Sequence, residues 1–196
     1  MTEILFFSNN KNKISEIVKL FSSFPITLLN LNDFKKIKSP KEVGATFEEN
    51  ARIKSIYGYK FFKKICFADD SGICIDSMNG GPNVKSKDFL ENNLSEKKSL
   101  ENIISISKKK NNHTAYFETA ISLNIDNNKN FIFKGRIKGT ISKKILGTNG
   151  FGYDSIFIPQ NFDKTYAQMS LNEKNLISHR SKAIKKLKDY IIENLI

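Results

Sequence analysis

Short apolar runs that end in polar loops alternate along this chain with segments of helical spacing, and that alternation restricts it to an α/β architecture. Residues 4–7 form the first apolar run; it stops at Ser8-Asn9-Asn10 and reads as a buried strand. Ile14, Ile17, Val18, Leu20 and Phe21 then fall at helical spacing, so the chain opens strand, polar loop, helix. Residues 26–29 predict a second strand. Thr46 and Glu49 make a T-x-x-E capping box ahead of a helix whose inward positions are expected at Phe47, Ala51, Ile53 and Tyr57. Residues 65–68 read as a strand that Ser71-Gly72 turns into Ile73-Cys74-Ile75. Residues 80–93 are polar and marked by Gly and Pro, which predicts a loop or mobile helix. Residues 95–107 predict an amphipathic helix ending in Lys108-Lys109-Lys110, a solvated end that suits the helix dipole. Residues 114–125 and 131–141 predict two strands with a hairpin connection at 126–129. Residues 147–153 read as a glycine-rich loop, and 178–196 as a closing helix with Ala183, Ile184, Leu187 and Ile191 on one face. There is no repeat and no linker, so residues 1–196 read as one α/β domain with a mixed sheet.

Charge narrows the partners less than the fold. The formal net charge is +12, which suits nucleic acid, anionic membranes and phosphorylated small molecules equally. The lysines are scattered rather than interleaved with aromatics on one stripe, which argues against a nucleic-acid-binding protein. An apolar content of 39% excludes a disordered chain. The N-terminal residues lack a basic segment and a long apolar run, and no stretch of about 18 apolar residues occurs, so neither secretion nor membrane insertion is expected and the cytoplasm is the default. Cys66 and Cys74 sit among apolar residues and read as small buried hydrophobes; two cysteines make neither a disulfide framework nor a metal-ligand spacing.

Four polar segments interrupt these elements. Ser8, Asn9, Asn10, Lys11, Asn12 and Lys13 lie between a strand end and a helix start, where unpaired backbone N–H groups and the helix dipole favour an anion. The same pattern also describes an ordinary capped loop, and it lacks the glycines of a Walker A loop. Ala68-Asp69-Asp70-Ser71-Gly72 places two adjacent carboxylates at the expected end of a strand. Adjacent strand residues face opposite ways, so the two aspartates have different roles: one meets substrate, the other holds the turn. Such a carboxylate binds magnesium or deprotonates water, unless the segment is a plain Asp-rich turn. In Gly150-Phe151-Gly152-Tyr153-Asp154 two glycines allow close backbone approach to a flat ligand stacked on Phe151, unless the aromatics belong to the core. Glu173-Lys174-Asn175 and Ser178-His179-Arg180 bring a lysine, an imidazole and a guanidinium near a helix start. Neither His113 nor His179 has a second histidine at metal spacing, so zinc is not expected.

Taken in order and spacing, these segments resemble the inosine triphosphate pyrophosphatase family, the dITP/XTP pyrophosphatases. The motifs that carry the resemblance are ADDSG (68–72), GFGYD (150–154) and SHR (178–180), with TFEENA (46–51) and KTYAQMS (164–170), and together they span nearly the whole chain. The resemblance implies an elongated mixed β-sheet flanked by helices, with two lobes and an active-site cleft between them. It implies magnesium-dependent hydrolysis of ITP, dITP and XTP to the monophosphate and pyrophosphate, and a homodimer with no stable nucleic-acid or membrane partner. Residue by residue, it implies that Ser8 to Lys13 hold the triphosphate, with Lys13 and Lys54 on phosphates. Asp70 is the implied general base and metal ligand, and Ser71 the implied substrate contact. Phe151, Gly152, Tyr153 and Asp154 are implied to enclose base and sugar, Lys174 to contact substrate, and His179 and Arg180 to reach the base. A pyrophosphatase for another modified nucleotide on a similar fold is the alternative.

Some positions depart from that family pattern. Asn9 stands where the first loop usually has glycine, a position Asn tolerates best if its φ is positive. Lys41 stands where some members have a metal-binding glutamate, with Glu42 beside it as the substitute. Asn83, Lys85 and Asp88 replace the usual glycine, tyrosine and arginine, and Gln168 a common glutamate.

Overall fold

The computed structural model describes residues 1–34, 37–91 and 95–196. Strand β1 (Glu3–Phe6) leads through the polar loop into helix α1 (Lys11–Phe21), whose N-cap Asn10 accepts a hydrogen bond from the Lys13 N–H at 3.1 Å. Strand β2 (Thr27–Asn30) follows, then helix α2 (Phe47–Phe62), which starts on the expected capping box: Thr46 Oγ1 accepts from the Glu49 N–H, and Glu49 Oε2 accepts from the Thr46 N–H. Next come β3 (Cys66–Ile75), β4 (Gly81–Pro82), α3 (Ser86–Glu91) and α4 (Glu96–Lys109), then β5 (Thr114–Asn124), β6 (Asn130–Ile141), β7 (Phe157–Pro159), α5 (Leu171–Ile177) and α6 (His179–Asn194). The strand order is β2-β1-β3-β5-β6-β7, with β4 paired to β3. The sheet is mixed, as expected: β1 runs parallel to β2 and β3, while β4 is antiparallel to β3 and β7 to β6.

The chain divides into two compact units, and β3, β5 and β6 each give residues to both. The first unit comprises Met1–Asp70, Thr119–Gly135 and Arg180–Ile196. Alternate strand residues bury on opposite faces there: Ile4, Phe6 and Phe67 join Ile17, Ile121, Ile184 and Leu187 in one core, and Leu5, Phe7, Cys66 and Ala68 form another with Leu31. Ala183, Ile184, Leu187 and Ile191 of α6 are all buried, as their spacing predicts, each aliphatic side chain worth about 1.5–3 kcal/mol on full burial. The second unit comprises Ser71–Glu118 and Arg136–His179, with a core of Ile73, Ile75, Leu100, Ile103, Phe117, Ile141, Tyr153, Phe157 and Tyr166. Both cysteines are free and buried, and among the described residues no helix is long and apolar enough to cross a membrane.

Several local expectations change. Asp69 and Asp70 lie inside a continuous ten-residue strand, not at a strand end, and Ser71-Gly72 makes no turn. The strand passes through the two acids because cations pair with them and remove the penalty of burying charge. On α2 the buried positions are Phe47, Asn50, Ala51, Lys54, Ser55 and Gly58, so half of the inward stripe is polar; Ile53 and Tyr57 are only half-buried. Val18 is exposed. The stretch expected as loop carries β4, a 3-10 turn at Asn83–Lys85 and α3, while Asn92 and Asn93 lie outside the described residues. Asn83 takes a left-handed φ of 55°, the conformation that the glycine of the resembled family would allow, whereas Asn9 is not among the residues with positive φ.

Candidate active site

In the first unit the capping box fixes the start of α2, and α2 aims two polar side chains at Asp70. The Asn50 amide is oriented at both ends: its Oδ1 accepts from the Gly44 N–H at 2.8 Å, and its Nδ2 donates to Asp70 Oδ2 at 3.2 Å. One turn on, Lys54 Nζ lies 3.3 Å from Asp70 Oδ1 and 2.7 Å from Glu42 Oε2. Burial raises the Asp70 pKa above the ordinary carboxylate value, with Glu42 and Asp69 adding to the rise and Lys54 and Lys13 opposing it. Burial alone would lower the Lys54 pKa, but Asp70 and Glu42 outweigh it and the net shift is upward.

Asp69 points to the opposite face of β3 and has a different set of partners. Its Oδ2 accepts from Lys13 Nζ at 3.1 Å and from Arg180 Nε and Nη2, each at 3.2 Å. Arg180 Nη1 also pairs with Glu16 of α1. Two cations and two carboxylates thus meet in one cluster, in which Asp69, Glu16 and Arg180 are buried and Lys13 is half-buried. Burial works against ionising Asp69, yet Lys13 and Arg180 hold its carboxyl well below the usual carboxylate range. Burial also lowers the Lys13 pKa, with Asp69 opposing the fall.

The second unit holds the glycine loop and α5. Gly147, Gly150 and Gly152 all have positive φ, and a Cβ on Gly147 would come within 2.3 Å of the Ala167 backbone. The loop is fastened along the KTYAQMS segment: the Thr148 and Asn149 N–H groups donate to the Ala167 carbonyl, Asn149 Nδ2 donates to the Met169 carbonyl, and Thr165 Oγ1 donates to the Leu146 carbonyl. That segment matters as the loop's scaffold. A second capping box, Ser170 with Glu173, starts α5 and presents Lys174. Lys174 Nζ lies 2.6 Å from Asp154 Oδ2 and within 4.9 Å of the Phe151 ring centroid and 5.3 Å of the Tyr166 centroid. His179 stacks flat on Phe117, with centroids 4.6 Å apart and planes 7° from parallel. A pocket of about 530 Å³ borders this loop, lined by Phe151, Gly150, Gly152, Leu100, Glu96 and Thr148 among others.

The structure sorts the expected residues as follows. Within the first unit it groups Lys13 with Asp69 and Arg180, and Lys54 with Asp70 and Glu42. Asn10 caps α1, Ser8 Oγ accepts from the Asn10 N–H, Asn9 Nδ2 donates to Ser39 Oγ, and Lys11 and Asn12 are exposed. Ser71 is half-buried at the start of the second unit. There Phe151, Asp154 and Lys174 are brought together. Tyr153 is a core residue whose hydroxyl donates to the Ser86 carbonyl, so its ring does not enclose a ligand here. His113 lies just before β5, and its Nδ1 is 2.9 Å from the Ile141 carbonyl, as a structural histidine would be. Sequence reasoning missed Asn50, Glu16 and Phe117. Two signals pointed to the first two: Asn50 sits four residues before Lys54 on one helix face, and Glu16 lies beside the inward positions Ile14 and Ile17.

Among the described residues no group of three or more His, Cys, Asp and Glu side chains is placed around one metal position. Asp70 and Glu42 nevertheless converge on a single cation, the Lys54 ammonium. Two carboxylates are a sufficient protein share for magnesium, which takes most of its shell from phosphate oxygens and water.

The Ham1 family model matches residues 4–190. This chain belongs to the Ham1 family. It is 40% identical over 189 residues to the dITP/XTP pyrophosphatase of Flavobacterium johnsoniae, covering 96% of this chain and 97% of that protein. It is 34% identical over 197 residues to the dITP/XTP pyrophosphatase of Listeria monocytogenes, covering 98% and 96%. The solved Ham1 protein of Staphylococcus aureus resembles it with a TM-score of 0.86 at 33% identity, covering 98% of this chain and 99% of that one. The Ham1 protein of Coxiella burnetii gives 0.87 at 31%, covering 98% and 100%.

Proposed function

We propose that this Ham1 chain hydrolyses purine nucleoside triphosphates such as ITP, dITP and XTP to the monophosphate and pyrophosphate, with magnesium, and so keeps them from RNA and DNA synthesis. The observation that carries the reading is the Asp70 carboxylate, buried yet held by Lys54 and Asn50 with Glu42 beside it. The relatives named dITP/XTP pyrophosphatase support the substrate class. A triphosphate carries about four negative charges, and phosphoryl transfer is catalysed mainly by positioning and charge stabilisation. Lys13 and Lys54 supply positive charge to it, and the loop from Ser8 to Asn12 supplies backbone N–H groups at the start of α1. Asp70 takes the proton of the water that adds across the anhydride between the α and β phosphates. A magnesium ion held by Asp70 and Glu42 would neutralise phosphate charge. Phe151 stacks on the base, with Gly152 leaving room, while Lys174, His179 and Arg180 serve its edge. A homodimer without a nucleic-acid or membrane partner completes the reading, and two buried free thiols suit the cytoplasm.

Pyrophosphate release from ITP and XTP, compared with GTP, ATP, dUTP, TTP and methylated GTP, with magnesium present or chelated, tests this. Release from ITP and XTP well above the others, abolished by chelation, is expected. Turnover confined to dUTP, TTP or methylated GTP, or undiminished without the metal, would overturn it.

The two shifted groups set the pH dependence. Asp70 works ionised, so activity is lost as pH falls through its raised pKa, above the ordinary carboxylate value of about 4. Lys13 works protonated, so activity is lost again as pH climbs through its lowered pKa, below the ordinary lysine value of about 10.4. A kcat/KM profile measures both limbs. A sharp optimum near pH 6 would instead indicate a histidine base.

A further inference from the structure

Asp154 carries the contacts that shape the glycine loop. Its Oδ2 accepts from the Phe151 N–H at 2.9 Å and from Lys174 Nζ at 2.6 Å. The carboxylate can take this place only because residue 150 is glycine: a Cβ there would lie 2.1 Å from Asp154 Oδ2. Both charged side chains are only 4% exposed. A lysine head group is a compact charge on a flexible stem, so its direction is set by what surrounds it. Its surroundings here include the Asp154 carboxylate and the faces of two rings, Phe151 and Tyr166. Without the carboxylate, the ammonium would lose the buried charge that fixes its direction and would turn away from the loop.

We infer that Asp154 is a positioning residue that acts through Lys174: it aims the ammonium at the purine edge beside Phe151 and does not itself touch the nucleotide. This rests on the reading of Phe151 and Lys174 as contacts to the base. An ammonium only donates, so a fixed one favours a purine with oxygen at position 6 over one with an amino group. Asp154 thereby contributes to the preference for ITP over ATP from a place where it contacts neither.

The test is a double-mutant cycle in the full chain with Asp154→Asn, Lys174→Met and the pair, measuring kcat/KM for ITP and ATP and competitive inhibition by inorganic tripolyphosphate. Asp154→Asn keeps the shape and an acceptor for the Phe151 N–H but removes the charge. It is expected to lower kcat/KM for ITP about tenfold or more and ATP much less. Tripolyphosphate, which has no base, should inhibit within about twofold of the original, and Asp154→Asn should add less than about twofold once Lys174 is Met. The inference is overturned if Asp154→Asn costs the same factor with Met at residue 174, or if tripolyphosphate weakens as much as ITP. Should Asp154→Asn alone not fold, Lys174→Met against the pair carries the test. The pair is expected to be the more heat-stable, because it no longer buries a lone carboxylate, with an unchanged ITP to ATP ratio; a further loss of that ratio overturns the role. A wild-type chain that releases no pyrophosphate from ITP is a distinct result, removing the activity and this role with it.

Discussion

Asp70→Asn is expected to lower kcat for ITP by at least about 10²-fold while the chain stays folded. The substitution changes one oxygen into an NH₂, and the surroundings of Asp70 have no use for one. Lys54 Nζ faces one carboxylate oxygen and Asn50 Nδ2 faces the other, so both neighbours donate. The Asn50 amide cannot simply turn round, because its own oxygen is taken by the Gly44 N–H. An asparagine at residue 70 must therefore set its NH₂ against a donor, and it accepts no proton from water. The fold survives because Lys54 keeps Glu42 as counter-charge. Turnover, KM and thermal unfolding should be measured together. Near-normal kcat in a folded variant would remove Asp70 from the role of base.

The parts of this molecule that were legible in the sequence are those in which local chemistry decides the outcome. The face of α6 follows from the spacing of Ala183, Ile184, Leu187 and Ile191, and the start of α2 from Thr46 and Glu49. Likewise Asp126 closes the β5–β6 connection by accepting from the Asn128 and Lys129 N–H groups. β3 was not legible in the same way. Two adjacent aspartates followed by Ser-Gly look like the end of a strand, and their burial is offset by Lys13, Arg180, Lys54 and Asn50, none of them a neighbour in sequence. The inward stripe of α2 was misread for the same reason. An apolar period was sought where the sheet face offers Asp70 and the Ser122 hydroxyl, so Asn50, Lys54 and Ser55 turn inward. GFGYD was visible as a motif, but its division of labour was not. Whether an aromatic meets ligand or core depends on what lies behind it, and behind Tyr153 lies the Ser86 carbonyl.

Arg180→Ala is expected to have two effects that separate cleanly. The first is on stability. Arg180, 2% exposed, pairs with Asp69 and Glu16 in a cluster that also holds Lys13. Removing the guanidinium leaves two buried carboxylates against one ammonium, which costs about 3–5 kcal/mol. For a chain of this size each kcal/mol lowers Tm by about 2–4 °C. The sign with pH follows from Asp69. Its folded pKa is depressed, so its stabilisation is present above the unfolded value of about 3.9 and is lost as pH falls through the folded one. Removing Arg180 takes away part of what depresses it, so the variant should fall furthest behind at neutral pH and draw level in acid. The second effect is on selectivity: if Arg180 also serves the base edge, kcat/KM should fall more for ITP than for ATP, by about tenfold to a hundredfold. Adding Glu16→Gln removes the excess carboxylate and should restore much of the Tm without restoring the ITP preference. If selectivity returns together with stability, Arg180 is a structural cation that holds Asp69 and Lys13, and the base is read by other residues.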